Sequence, residues 1–294
     1  MAIKKILFPT KFRELSFNSL AQLFALKDAG LKEIILSHVI SREDVGFVPF
    51  GGYLKEEEDR LREEATIRFE DWQKSLEEKG LKSKVVIKVG EPVPQILHTA
   101  EDEEADLIVV GRKKRTLNHP FAGSRTIEIV TRSKVPVLVS KYLVSYEVEG
   151  ENLEKINERI FERPMLVCDW SEPSMRALKL MKSFQSVIEE AIVFHDINVE
   201  KIHEKYEDSL HELKKVSIEK LDMVCDELKE EGAGCETHLG AGKILNEIIR
   251  ISRDRRATMI VMGTSGKGRL SEFIHGSVSH SIVRESELPT LLVP

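Results

Sequence analysis

Along the chain, short apolar runs rich in Val and Ile alternate with longer stretches in which apolar residues recur every three or four positions. In the first half the runs are KILFP (5–9), EIILSHVI (33–40), SKVVIKVG (83–90), DLIVVG (106–111) and VPVLVS (135–140). In the second half they are PMLVCD (164–169), EAIVFHDI (190–197), GCETHLG (234–240), TMIVMG (258–263) and PTLLVP (289–294). Continuous apolar runs of this kind, as opposed to alternating ones, predict strands of a parallel sheet covered on both faces. Between them, residues 54–80 carry Leu54, Leu61, Ala65, Phe69, Trp72 and Leu76 at helical spacing and stop at Gly80. Residues 205–232 repeat the design with Leu210, Leu213, Val216, Leu221, Val224 and Leu228, ending near Gly232.

The two halves align element by element. Lys11 lies opposite Asp169, His38 opposite His195, Gly90 opposite Gly240, Gly111 opposite Gly263 and Gly123 opposite Gly276, at offsets of 158, 157, 150, 152 and 153. Offsets this steady across five strands mean one βα unit written twice. The expected organisation is a first domain over 1–142, a polar linker over 143–162 interrupted by Gly150, and a second domain over 163–294. Each half reads β-α-β-α-β-α-β-α-β, an α/β fold with an open, doubly wound parallel sheet.

Bulk chemistry narrows the function. The chain has 294 residues, 41% hydrophobic and 32% charged, with a formal charge of −6 and a pI near 5.9. An acidic balance without a basic stripe argues against nucleic acid as partner. No apolar run approaches the ~20 residues of a membrane span, and the N-terminal MAIKKILFPT has no signal-peptide pattern. Cys168, Cys225 and Cys235 form no CxxC and no disulfide framework, so they read as small apolar residues in a reducing, cytoplasmic setting.

The candidate chemistry sits after TMIVM, in GTSGKGRLSEFIHGSVSH (263–280). Open α/β sheets bind ligands at the carboxyl ends of their strands. Glycines there permit positive φ and close approach of a ligand to the main chain. Val278, Ile282 and Val283 then recur at helical spacing, which makes Ser277 a plausible N-cap whose free N–H groups suit an anion. Ser277 and Ser279 add hydroxyls, and Lys267 or Arg269 can neutralise phosphate charge. The stretch is neither a P-loop nor GxGxxG.

Gly263-x2-Gly266-x9-Gly276-Ser277, followed by Val278-Ser279, resembles the nucleotide motif of the universal stress protein family. The segment LVCDWSEPS (166–174) is similar to that family's first strand and turn, and both halves fit, so the resemblance is to a tandem member. It implies two five-stranded parallel sheets of order 3-2-1-4-5, Rossmann-like and adenine nucleotide alpha hydrolase-like, and an adenine nucleotide such as ATP or AMP. Carried onto this chain, it implies Asp169 facing the ribose and the backbone around Asp196 facing adenine, with Met262 close by. Gly263, Gly266, Gly276, Ser277, Val278 and Ser279 would hold the phosphates. Any Mg²⁺ or Mn²⁺ would be held through those phosphates and Ser279. Asp169 has a second reading as N-cap of the helix that begins in SEPSMRALKL, and the two roles are compatible.

The first half departs from the motif. Lys11 stands where the aspartate belongs, Lys114 occupies the place of the second glycine, and eight residues, not nine, separate it from Gly123. Its nucleotide site is therefore expected to be degenerate, although Lys11, Lys114 and Arg115 suit an anion. No HExxH, GxSxG or kinase signature supplies a positioned general base. The expectation is a nucleotide-binding regulatory or stress-response protein, with a slow ATP hydrolase or phosphotransferase (His280 its best candidate) and a nucleotide-independent scaffold as alternatives. Strands VPVLVS and PTLLVP are expected to pair the halves as a pseudo-dimer, whole chains to form homodimers, and the apolar DVGFVPFGGYL (44–54) either to fold over its own sheet or to meet a protein partner.

Overall fold

The structure, a computed structural model, describes residues 2–12, 17–48, 52–53, 55–111, 124–141, 143–148, 151–156, 158–197, 207–230, 232–264 and 278–294. They form two compact units, Ala2–Ser140 and Lys141–Pro294.

The first unit runs β1 (Lys5–Pro9), a 3-10 helix (Phe17–Lys27), β2 (Glu33–Ile40), a short hairpin of β3 (Phe47–Val48) and β4 (Gly52–Tyr53), α1 (Lys55–Glu78), β5 (Lys82–Val89), α2 (Pro92–Asp102), β6 (Leu107–Gly111), α3 (Ser124–Arg132) and β7 (Val137–Ser140). Its five long strands are all parallel in the order β5-β2-β1-β6-β7. The second unit opens with an antiparallel strand pair, β8 (Leu143–Val148) and β9 (Glu151–Ile156). It then repeats the plan with β10 (Pro164–Val167), α4 (Glu172–Ser183), β11 (Glu190–Asp196), α5 (Glu207–Lys229), β12 (Gly234–Gly240), α6 (Ile244–Asp254), β13 (Met259–Gly263), α7 (Val278–Glu285) and β14 (Thr290–Val293). The order is β12-β11-β10-β13-β14, so each sheet has its strands in the sequence 3-2-1-4-5.

The physical cause of this order is visible in the side chains. Ile6, Leu7, Phe8, Ile34, Ile35 and Leu36 of the central strands are fully buried, as are Met165, Leu166, Ile192, Val193 and Phe194 in the second sheet. At the edges, β5 and β12 stay largely half-exposed and carry the polar residues of KSKVVIKV and GCETHLG. Helix α1 buries Ala65, Phe69 and Leu76 as its spacing predicts. In α5 the buried stripe is Ser217, Leu221, Val224, Cys225 and Leu228, whereas Leu213, expected inside, is 42% exposed. Gly80 and Gly232 follow the two long helices at φ of 72° and 101°, the left-handed conformation that ends a helix and that glycine adopts without a Cβ penalty.

Two expectations need correction. The stretch expected as a polar linker contains an antiparallel strand pair: in LVSYEV and ENLEKI, Leu143 pairs with Ile156 and Tyr146 with Leu153. The cysteines are not all inert either. Cys225 and Cys235 form a disulfide with a Cα–Cα distance of 5.6 Å, leaving Cys168 as the free, buried thiol. The cause is packing: α5 lies on β11 and β12, and the turn between helix and strand brings two cysteines ten positions apart face to face. No CxxC-type spacing announces such a pair, and the inference of a reducing compartment from cysteine usage loses its footing. Among the described residues, no helix is long and apolar enough to cross a membrane.

Candidate functional site

At the carboxyl end of β10, Cys168 donates its backbone N–H to the Phe194 carbonyl, and Asp169 emerges at the surface. Asp169 Oδ1 accepts from the Ser171 backbone N–H at 3.0 Å and from the Ser171 hydroxyl. Ser171 in turn is the N-cap of α4, its side chain accepting from the Ser174 N–H. The cap is therefore Ser171, and Asp169 holds the cap in place, which corrects the reading of Asp169 as the capping residue itself. Burial pushes the Asp169 pKa up, but the hydrogen bonds from Ser171 and Ser174 together outweigh it and leave the carboxyl below its usual range.

The neighbouring strand brings the start of the glycine stretch to the same place. Val167 pairs with Met262, so Gly263 ends β13 beside the residues that follow β10. A Cβ on Gly263 would stand 2.5 Å from the Pro173 carbonyl carbon and 2.6 Å from the Ser174 nitrogen. Real Cβ atoms do not approach backbone so closely, so glycine is needed here for the start of α4 to close on the sheet. Gly263 thus has a packing task apart from any ligand, and Met262 beside it is buried.

Asp196 ends β11. Its pKa is raised, first by burial and then by the Glu247 carboxylate, against opposing contributions from the Gly242 amide and His195. Its Oδ1 is buried without a hydrogen-bond partner. At the far side, Val278 begins α7 and Ser279 is buried in its first turn. Asp169, Asp196, Met262 and Gly263 thus end three adjacent strands of one sheet, and Val278 and Ser279 open the helix of the same unit. Gly266, Gly276 and Ser277, with Lys267, Arg269 and His275, lie outside the described residues. His280 is half-buried, and burial followed by the Arg284 charge keeps its pKa low, favouring the neutral ring.

A feature that motif reading passed over lies behind Asp169. His195 donates Nδ1–H to the Cys168 carbonyl at 2.7 Å and stacks on Trp170 at 5.0 Å between ring centroids, while the Lys220 ammonium stands 5.7 Å over Trp170. The first repeat builds the same stack from other residues. His38 donates to the Thr10 carbonyl at 2.8 Å, lies 5.1 Å from Phe12, and Arg68 sits over Phe12 at 5.0 Å. Phe12 and Trp170 both adopt positive φ, 60° and 63°, a conformation that is unfavourable for an aromatic residue and held by these contacts. The aligned histidines carried the signal, since a residue preserved across a repeat at a strand end serves both copies.

The first repeat also has a pocket at its strand ends. It opens to solvent between β1, β2, β6, α2 and α3, with Thr10, Lys11, Val39, Gly111, Arg125 and Thr126 among its walls. Lys114, Arg115 and Gly123 lie outside the described residues.

With this geometry in hand, comparisons with known proteins are direct. The model of the "Universal stress protein family" matches residues 2–141 and again 164–294. The chain is similar to Universal stress protein MJ0577 of Methanocaldococcus jannaschii, 35% identical over 153 residues that span 47% of this chain and 94% of the relative. It is also similar to Universal stress protein MJ0531 of the same organism, 26% identical and covering 53% of this chain and 93% of that one. The crystal structure of a universal stress protein from Archaeoglobus fulgidus DSM 4304 superposes over 100% of this chain and 99% of its own, with a TM-score of 0.75 at 23% identity, a likeness of fold.

Proposed function

The chain belongs to the universal stress protein family in both of its repeats, and on that premise we propose that the second repeat holds an adenine nucleotide and serves a regulatory, stress-response role. The observation that carries this reading is the carboxylate of Asp169, kept ionised and oriented by Ser171 two residues beyond a strand whose partner ends in Met262-Gly263. A pinned carboxylate suits the paired hydroxyls of a ribose, because a charge-assisted acceptor gains most when it need not be ordered on binding. The partnerless Oδ1 of Asp196, at the end of the adjacent strand, is a buried acceptor of the sort that the amino group of a base relieves. Phosphates fall to Gly263, Gly266, Gly276, Ser277, Val278 and Ser279, whose main-chain amides and hydroxyls suit an anion near a helix start. A divalent cation, when bound, would supply charge neutralisation on the phosphates, and Ser279 would offer it a hydroxyl.

The test is a thermal-shift and calorimetry panel of ATP, ADP and AMP on metabolite-stripped protein, with Gly266→Val and Asp169→Ala alongside. A nucleotide at one hundred times its Kd stabilises by about 2.7 kcal/mol, and both variants should lose most of that shift. No heat and no shift with any adenylate would remove the reading. Steady phosphate release that scales with protein and disappears in Ser279→Ala would turn it into an enzyme instead.

A further inference from the structure

The stacks behind Lys11 and Asp169 make the two repeats comparable residue by residue. The carbonyl that receives the histidine belongs to Thr10 in one and Cys168 in the other, and the next residues are Lys11 and Asp169. The residues after those histidines are Val39 and Asp196. In the helix that opens after the glycine-containing strand, buried Thr126 corresponds to buried Ser279, and the preceding residues are Arg125 and Val278. At these three positions the second repeat has two carboxyls and no cation, and the first has two cations and no carboxyl. At equivalent places in the two repeats the charge is inverted.

We propose that the first repeat's pocket is a binding site for a small organic anion, an apolar body carrying a carboxylate or phosphate head, and not for a nucleotide. Val39, Ile96, Val110 and Ile129 give it an apolar wall, and Lys11 and Arg125 stand among the same lining residues. Thr126 is fixed there by its hydroxyl, which donates to the Gly111 carbonyl at 3.2 Å. Among the described residues neither Lys11 nor Arg125 has a carboxylate within ion-pair distance. Asp44 acts on Lys11 from farther away, and its own carboxylate is taken up by the Ser41 hydroxyl at 2.6 Å. Two cations beside an apolar wall, neither in an ion pair among the described residues, select an anion, since each gains a charge-assisted hydrogen bond from it. Lys11 in place of an aspartate also withdraws the acceptor that a ribose needs.

The experiment is calorimetric titration of the full chain with phenyl phosphate and benzoate, and with their neutral counterparts phenol and benzamide. The wild type and the variants Lys11→Asp, Arg125→Glu and Asp169→Ala are compared. The expected result is binding of at least one anion to one site per chain, at least tenfold tighter than its neutral counterpart. Lys11→Asp and Arg125→Glu should each weaken it tenfold or more, with Asp169→Ala unchanged. Arg125 is exposed, so its substitution tests the site even if Lys11→Asp fails to fold. The proposal is overturned if neither anion binds, if the neutral compounds bind as well, if Arg125→Glu leaves the affinity intact, or if Asp169→Ala abolishes it. It is also overturned if AMP displaces the anions in Asp169→Ala, since the pocket would then be a second nucleotide site. Because the nucleotide reading rests on Asp169 and this one on Lys11 and Arg125, either can fail alone.

Discussion

Gly263 rests against the peptide between Pro173 and Ser174, close enough that one added carbon would stand 2.5 Å from the Pro173 carbonyl carbon. The obstacle is backbone at the first turn of a helix and cannot swing aside as a flexible side chain would. Overpacking a tight core contact typically costs about 1–3 kcal/mol. Gly263→Ala should therefore lower the unfolding free energy by at least about 2 kcal/mol in denaturant titration, and weaken nucleotide binding by displacing α4 from the sheet. An unchanged midpoint would mean that the helix start gives way freely.

The roles of Asp169 and Ser171 can be separated. Ser171→Ala removes a helix cap, a loss of about 1 kcal/mol, and frees the Asp169 carboxylate. Asp169→Asn keeps an oxygen for the Ser171 N–H but discards the charge, so it should unfold close to wild type. Its AMP affinity should fall by roughly tenfold, as a hydrogen bond to a charged group is worth ~1.5–3 kcal/mol. Calorimetry and chemical denaturation on the two variants read the two effects apart. Equal AMP affinity in Asp169→Asn and wild type would dissociate the carboxylate from the nucleotide.

Reduction offers a third check. The Cys225–Cys235 bond closes a loop of ten residues, for which chain-entropy arguments give about 2.7 kcal/mol of stabilisation. Urea unfolding with and without dithiothreitol, and of a Cys225→Ser/Cys235→Ser double variant, should show a loss of that order. The reduced wild type and the double variant should agree. A double variant as stable as the oxidised wild type would show that packing of α5 on β12 already holds the two ends together.

Stability should also fall on mild acidification. His38, His238 and His280 have pKa values below their ordinary 6.5, with burial the leading cause in each. The unfolded chain then binds protons more readily than the folded one, so the stability these neutral rings preserve is present above pH 6.5 and is lost as pH drops below it. His38 adds the nearby charges of Lys11 and Arg68 to its burial, although the Thr10 carbonyl and Asp44 act in the opposite direction. Urea midpoints at pH 7.5, 6.5 and 5.5 should decline, and His38→Asn should flatten the decline. A wild type that is more stable at pH 5.5 than at 7.5 would contradict the sign.

What the sequence determined by itself is the part of the fold governed by local periodicity. Runs such as KILFP and TMIVMG are apolar on both faces because their strands are covered on both faces, and a repeat offset near 150 residues is plain without coordinates. Asp169, Met262 and Gly263 came from the resemblance to the family's motif, and the structure places them at or just beyond the ends of β10 and β13. Tertiary structure alone decided which distant residues meet. It joined Cys225 to Cys235 across a helix–strand turn, set Gly263 against Pro173, gave the cap to Ser171, and stacked Trp170 on His195. It also put Lys11 and Arg125, 114 positions apart in the sequence, around one apolar pocket. Such contacts depend on how elements pack against one another, and no window of neighbouring residues carries that information.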